Sequence, residues 1–366
     1  MKLNLKNIDE QVVVITGASS GIGLCTAQLA ASRGAKVVLV SRDRVDLDRA
    51  ASDIRGNGGT AISVVADVAD PDAMQRVAET AIREFGGIDT WVNNAGVSIY
   101  GRIEEVPVAD ARRLFETNYW GVVNGSLAAL PHLRHRGGAL INVGSVLSDT
   151  GYALQGHYAA SKHAVKGFTD SLRIELEHDR IPVSVTLIQP AAIDTPYPQH
   201  AENYLGVEPV HLPPVYHPEV VAEAILGCAT TPHRDVLVGG GAKVFQAIEH
   251  VAPGLGDRFK ASAGGVEKQY GDEPAENTST LHAPRPNDGQ VRGRYRGHVM
   301  RSSVYTRSVM HPGQTIAAIA ALGAVGVLAS RAGVFGRRER RRRDGWYEQR
   351  SGERFGSEPY GTDQPV

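Results

Sequence analysis

The sequence predicts a doubly wound α/β fold, a parallel sheet of about seven strands with helices on both faces. Three observations lead there. Short apolar runs rich in β-branched residues alternate with longer segments of helical period over the first 255 residues, the pattern left by parallel strands joined through crossover helices. The runs are continuously apolar, as in Val12-Val13-Val14-Ile15 and Val37-Val38-Leu39-Val40. They therefore require burial on both faces, and helices on both sides of the sheet. A glycine-rich turn follows the first run and opens a helix, the arrangement that suits anion binding at a helix start.

In chain order, the expected strands are Val12 to Thr16, Lys36 to Val40, Ala61 to Asp67, Asp89 to Asn93, Ala139 to Val143, Val183 to Ile188 and Val236 to Val238. Regularity stops near residue 255, so residues 1–255 are read as one domain. Residues 256–314 are polar and rich in Gly, Pro, Ser, Asn and Arg without sustained apolar period, and read as a disordered linker. Residues 315–336 form an apolar segment, and 337–366 an Arg-rich polar tail.

Composition narrows the function classes. The 366 residues are 42% hydrophobic and 22% charged with a formal net charge of -1, which fits a soluble globular chain and gives no sign of a nucleic-acid partner. Cys25 and Cys228 are the only cysteines, too few for a disulfide framework or a cysteine-built zinc site, and the polar start Met1 to Glu10 does not resemble a signal peptide. A reducing, cytoplasmic setting is the expectation. His200, His211 and His217 are irregularly spaced with no acid cluster beside them, so no metal site is expected.

The turn after the first strand reads Thr16-Gly17-Ala18-Ser19-Ser20-Gly21-Ile22-Gly23. Asn93-Asn94-Ala95-Gly96 follows the fourth strand, Asn118 sits on the next helix, Ser145 follows the fifth strand, and Tyr158-Ala159-Ala160-Ser161-Lys162 opens the helix after it. Each piece alone has a plain structural explanation: a tight turn, a strand end, a helix cap, a solvated Tyr and Lys one turn apart. Together, in this order and spacing, they resemble the short-chain dehydrogenase/reductase family, single-domain enzymes with a Rossmann-type fold. The resemblance covers about the first two-thirds of the chain.

That resemblance implies a nicotinamide-dependent oxidoreductase interconverting a ketone or aldehyde and a secondary alcohol. Tyr158 is then the general acid/base. A free phenol titrates near 10, so it needs a neighbouring cation, and Lys162 stands one helical turn away. By the same resemblance Lys162 also holds the nicotinamide ribose, Ser145 stabilises charge on the substrate oxygen, and Asn118 holds a water that links Lys162 to solvent. The cofactor would lie against Gly17, Ser19, Ser20, Gly21, Ile22, Gly23, Ser41, Arg42, Asp67, Val68, Asn94, Ala95, Gly96, Tyr158, Lys162, Pro190 and Thr195. An NAD site commonly carries an acid at the end of the second strand. Here that place holds Ser41 and Arg42, which suit a 2′-phosphate, so NADP is expected, with NAD as the alternative. Asp67 has a second reading as a helix N-cap.

The family commonly has Pro-Gly after the sixth strand, where this chain has Pro190-Ala191, so the turn is expected to run differently there. Pro196 to Pro218 matches the family's mobile substrate lid. Val97, Ser98, Leu147, Tyr152 and Leu154 are expected pocket positions, and the substrate is expected to be lipophilic. Homo-oligomerisation is implied by the family alone.

Thr315 to Ser330 is an uncharged run of 16 residues with six Ala, followed by Arg331 to Arg343 with a local charge of +6. A helix of that length spans about 24 Å, short of a roughly 30 Å hydrocarbon core. Three readings stay open: a tail anchor inserted against the charge rule, a helix lying on an anionic membrane surface, and a soluble interaction helix. Membrane contact through 315–343 is the expectation. A second reading of the whole chain is a non-catalytic dinucleotide-binding scaffold or sensor recruited through this tail, although a pure binder has no need of Tyr158.

Overall fold

Seven parallel strands, β1 (Val12–Thr16), β2 (Lys36–Ser41), β3 (Thr60–Val65), β4 (Thr90–Asn93), β5 (Gly138–Val143), β6 (Val183–Pro190) and β7 (Asp235–Val238), form one sheet in the order β7-β6-β5-β4-β1-β2-β3. The computed structural model describes residues 3–241 and, within 243–316, all but 244–245, 247–250, 263–264, 277–278, 286, 312 and 314. Alternate residues of β1 point to opposite faces. Val13 and Ile15 pack with Leu39, Leu47, Ile141 and Val221 on one side, while Val14 joins Val38, Met74, Trp91, Leu140 and Leu176 on the other. Both layers are closed by helices, as the continuous apolarity of the strands requires.

The helices start and stop where local chemistry dictates. α1 (Gly21–Ser32) opens directly from the glycine-rich turn. α2 (Arg44–Gly56) is capped by Asp43, whose carboxylate accepts the Asp46 N–H at 3.1 Å. α3 (Pro71–Phe85) has Asp70 as its cap, accepting from Asp72 and Ala73 at 2.9 and 3.1 Å, Pro71 in its first turn and Gly86 in left-handed conformation at its end. Asp70 therefore caps this helix and Asp67 does not. α4 (Val108–Phe115) and α5 (Gly121–Arg136) are joined by a π-helical turn over Glu116–Trp120, which carries Asn118. α6 (Gly156–His178) carries Tyr158 and Lys162, and α7 (Pro218–Thr230) leads into β7.

From β1 the chain winds outward through β2 and β3, then returns to place β4 on the other side of β1. The crossovers diverge at that point and leave a crevice at the carboxyl ends of the strands. Beneath it lies a buried polar network. Asn93 Oδ1 accepts from Trp91 Nε1 at 2.8 Å, and Asn93 Nδ2 donates to Asn142 Oδ1 at 2.9 Å and to Ser126 Oγ at 3.1 Å. Asn142 Nδ2 in turn donates to Thr169 Oγ1 at 2.9 Å. One side chain thus joins β4, β5 and α5, and through Asn142 reaches α6.

The boundary expected at residue 255 is not where this unit ends. Residues up to Met310 form one compact unit. Within the stretch read as linker, Tyr270–Pro274 pairs antiparallel with Val207–Pro209, and Val299–Met300 pairs parallel with Val215–Tyr216. A helix follows at Val304–Met310. The stretch lacks apolar period because it is fixed by two-residue ladders, backbone carbonyls and side-chain pairs, none of which needs a repeating pattern. The membrane-contact expectation for 315–343 lies outside the described residues except at 315–316. Among the described residues, no helix is long and apolar enough to cross a membrane.

Replacing Asn93 with Ala would leave the Trp91 indole N–H and the Asn142 carboxamide oxygen without their buried partner. Because each orphaned group costs about 1–3 kcal/mol, Asn93→Ala should destabilise the protein by about 2–4 kcal/mol. Urea unfolding followed by tryptophan fluorescence checks this, and an unchanged midpoint would show that the network is dispensable.

Candidate active site

The crevice opens into a cleft of about 750 Å³ that runs from Arg42 and Asp67 at one end to Thr195, Tyr158 and Lys162 at the other, within the size range of cofactor sites. Its floor depends on two glycines. Gly17 has φ of 66°, and a Cβ there would stand 2.8 Å from the Ala95 Cα. At Gly23 a Cβ would stand 2.1 Å from the Gly17 carbonyl oxygen, so helix and turn meet backbone to backbone. Thr16 and Asn94 clasp the two strand ends. Asn94 Nδ2 donates to the Thr16 carbonyl at 2.9 Å, while Thr16 Oγ1 accepts the N–H groups of Asn94 and Ala95, each at 3.0 Å.

Gly17, Ser19, Ser20, Gly21, Ile22, Ser41, Arg42, Asp67, Val68, Asn94, Ala95, Gly96, Pro190 and Thr195 line the cleft together with Ser145, Tyr158 and Lys162. Gly23 and Asn118 do not; the first serves close packing and the second lies fully buried behind the wall. Asn118 Oδ1 accepts the Val97 N–H at 2.8 Å, and its Nδ2 donates to the Val97 carbonyl and to Ser161 Oγ at 3.0 and 3.1 Å. Its side chain thus fixes the strand end beside Gly96, with its hydrogen bonds going to Val97 and Ser161. Of the expected pocket positions, Val97, Ser98, Leu147 and Tyr152 line the cleft. Leu154 does not, being buried with φ of 67° in the turn before α6.

At the adenosine end implied by the sequence, Ser41 Oγ donates to Ser19 Oγ at 2.9 Å. Asp67 is ion-paired to Arg113 at 2.5 Å and lies 3.9 Å from Arg42, so its charge is largely matched. Arg42 is held by carbonyl oxygens of Thr280 and Leu281, from the stretch expected to be linker. At the other end, Ala191 takes an ordinary backbone conformation without positive φ and donates its N–H to the Val238 carbonyl at 2.9 Å. The turn accommodates alanine for that reason.

Ser145 ends β5 and caps a short 3₁₀ turn, Val146–Ser148, with its Oγ accepting the Leu147 N–H at 3.1 Å. Tyr158 is 8% exposed and packs edge to face on Tyr197, with ring centroids 5.6 Å apart. Burial raises the Tyr158 pKa, and the hydroxyls of Tyr197 and Ser145 oppose that shift. Lys162 Nζ donates to the Val143 carbonyl at 2.8 Å, and burial pushes its pKa down to about 8. The Lys162 ammonium lies 5.7 Å from the centre of the Tyr158 ring. A buried phenol, a serine hydroxyl and a poorly solvated ammonium thus line the same cleft.

The three histidines considered for metal have other surroundings. His200 meets Asp288 at 2.9 Å and His217 meets Glu219 at 3.3 Å, while burial drives the His211 pKa to about 4 and keeps its ring neutral. Among the described residues no group of three or more His, Cys, Asp or Glu could hold a metal ion.

Sequence reasoning missed the cleft residues that arrive from outside the strand–turn pattern. Tyr100 and Gln155 line the cleft with Tyr158, as do Thr280, Pro284, Arg285 and Asp288, while Tyr197 falls in the expected lid. No periodicity marks them. The only available signal was the density of Arg, Pro and Gly between 284 and 297.

An elongated cleft with backbone approach at Gly17, an Arg at one end and a buried Lys held only by a carbonyl at the other fits a dinucleotide. The relatives agree. A family model described as short chain dehydrogenase matches residues 11–204. The oxidoreductase YxnA of Bacillus subtilis is 44% identical over 333 residues, covering 91% of that protein and 88% of this chain, a share larger than residues 1–255 can supply. Dehydrogenase/reductase SDR family member 7B of Bos taurus is 32% identical over 271 residues, covering 70% of this chain and 82% of that protein. A solved short chain dehydrogenase/reductase from Burkholderia phymatum in complex with NAD superposes with a TM-score of 0.62 at 26% identity, covering 69% of this chain and 96% of that one. With its sheet order, glycine turn and Ser145–Tyr158–Lys162 convergence, the chain belongs to the short-chain dehydrogenase/reductase family.

Proposed function

We propose that this protein is an NADP-dependent oxidoreductase that interconverts a lipophilic ketone and the corresponding secondary alcohol, or an aldehyde and the corresponding primary alcohol. The observation that carries the reading is the placement of Tyr158, Ser145 and Lys162 at one end of the cleft, against apolar and aromatic walls that include Val97, Leu147, Tyr100 and Tyr197. A bound nicotinamide supplies or accepts the hydride. Tyr158 gives its phenolic proton to the carbonyl oxygen in reduction and takes it back in oxidation. Ser145 donates a hydrogen bond to the same oxygen as charge builds on it. Lys162 offsets the phenolate left on Tyr158, and its low solvation strengthens that effect. Burial raises the Tyr158 pKa, which favours the protonated form that reduction uses.

NADP is favoured by the chemistry at the end of β2. Ser41 stands where an acid would repel a 2′-phosphate, Arg42 beside it lines the cleft, and Arg113 matches the charge of Asp67.

Three tests follow from this chemistry. Tyr158→Phe should lower kcat for carbonyl reduction by at least about 10²-fold while the dinucleotide still binds, and an unchanged kcat would refute the proton role. The wild-type kcat/KM for reduction should fall as pH rises through about 8, because Lys162 loses its charge there. In Lys162→Arg that limb should move upward, and a profile flat from pH 7 to 9 in the wild type would show that the Lys162 charge is irrelevant. Arg42→Ala should raise the Kd for NADPH by about 10- to 100-fold, as expected for a lost charged hydrogen bond, and leave that for NADH little changed. Equal losses in a fluorescence titration would remove phosphate recognition from Arg42.

A further inference from the structure

The chain beyond the family match crosses the whole length of the cleft. At one end Arg42 donates to the carbonyls of Thr280 and Leu281, and Arg113 Nε donates to the same Leu281 carbonyl at 3.2 Å. Leu281 itself is fully buried. In the middle, the Asp288 N–H donates to Asp46 Oδ2 at 2.9 Å, and the Asp288 carboxylate meets His200 Nε2 at 2.9 Å. Over the glycine-rich turn, the Gln290 carbonyl accepts the Gly21 N–H at 2.8 Å. At the far end Arg292 binds the buried Asp194 carboxylate at 2.9 and 3.0 Å, beside Thr195.

These anchors fall on or beside Arg42, Gly21 and Thr195, the groups that face the cofactor in the reading above. The strap also joins the lid, because the Thr280 N–H donates to the His200 carbonyl at 2.9 Å. Arg285 lines the cleft from the strap side. Two carbonyls on one guanidinium fix the plane of a long side chain that would otherwise lose rotamer freedom on binding a ligand.

We propose that residues 279–285 and 287–293 form the outer wall of the dinucleotide site. They orient Arg42, add Arg285 to the cations around the cofactor, and let the cofactor exchange only when the strap lifts from Asp194 and Gly21. This rests on the cleft holding a nicotinamide dinucleotide. The close approach of Gly293 supplies a means to lift the strap, since a Cβ there would stand 2.3 Å from the Thr195 carbonyl oxygen.

The test uses the intact chain and the intrinsic fluorescence of NADPH and NADH. Stopped-flow displacement should show release at least about tenfold faster from Arg292→Ala and from Gly293→Val than from the wild type, for both dinucleotides, because lost contacts act mainly on dissociation. In the wild type, bound dinucleotide should slow tryptic cleavage after Arg292 and Arg294, and Gly293→Val should lose that protection. Wild-type release rates in both variants, or cleavage unaffected by dinucleotide, would overturn the proposal while leaving the cofactor reading intact. A wild-type chain that binds neither dinucleotide would overturn both.

Discussion

The clasp between Thr16 and Asn94 is the constraint on which the rest of the site depends. β1 and β4 are neighbours at the point where the winding of the sheet reverses, and their ends would diverge without a tie. Asn94 holds the Thr16 carbonyl while Thr16 Oγ1 holds two N–H groups of the facing turn. The glycine turn and the Asn94-Ala95-Gly96 turn are thereby locked side by side, close enough that Gly17 admits no side chain. Asn93, one residue earlier, anchors the same strand end from below through Trp91, Asn142 and Ser126. Two consecutive asparagines thus do different work, one tying the floor to the core and the other tying the two lips of the crevice.

Burial is the second organising force. Lys162 reaches the cleft through an apolar wall and keeps one carbonyl partner, which makes its charge less stable than in water. Tyr158 is raised by the same burial and pulled back by the Tyr197 and Ser145 hydroxyls. Those opposing effects come from different parts of the chain: Ser145 from a strand end, Tyr197 from the lid. The segment that carries Tyr197 therefore shapes the electrostatics of the Tyr158 hydroxyl.

Much of this was legible in residue order. The seven strands were marked by continuous apolar runs because burial on both faces excludes polar residues from them. The glycines could be recognised because close backbone approach removes every alternative residue. Arg42 was recognisable as a cation after β2, but its carbonyl partners were not, since backbone acceptors carry no residue signature. Asn118 shows the limit of a motif: its place on the helix was evident, while its commitment to Val97 and Ser161 depends on the π-helical turn that aims it. Asp67 stood three residues ahead of a better cap, and only the hydrogen bonds that Asp70 accepts from Asp72 and Ala73 excluded the capping reading.

By itself, the sequence determined the sheet, the crevice and the residue types at the end that holds Tyr158 and Lys162, because strand burial, glycine turns and one-turn helical spacing are short-range rules. Only the tertiary structure decided what covers that crevice. Residues 279–285 and 287–293 have no periodic face, and their anchors lie far back in the chain on Asp46, His200, Asp194 and Gly21. Contacts made singly, between a carbonyl here and a carboxylate there, leave no repeat in composition or spacing. A stretch that reads as polar linker can therefore be a wall of the site.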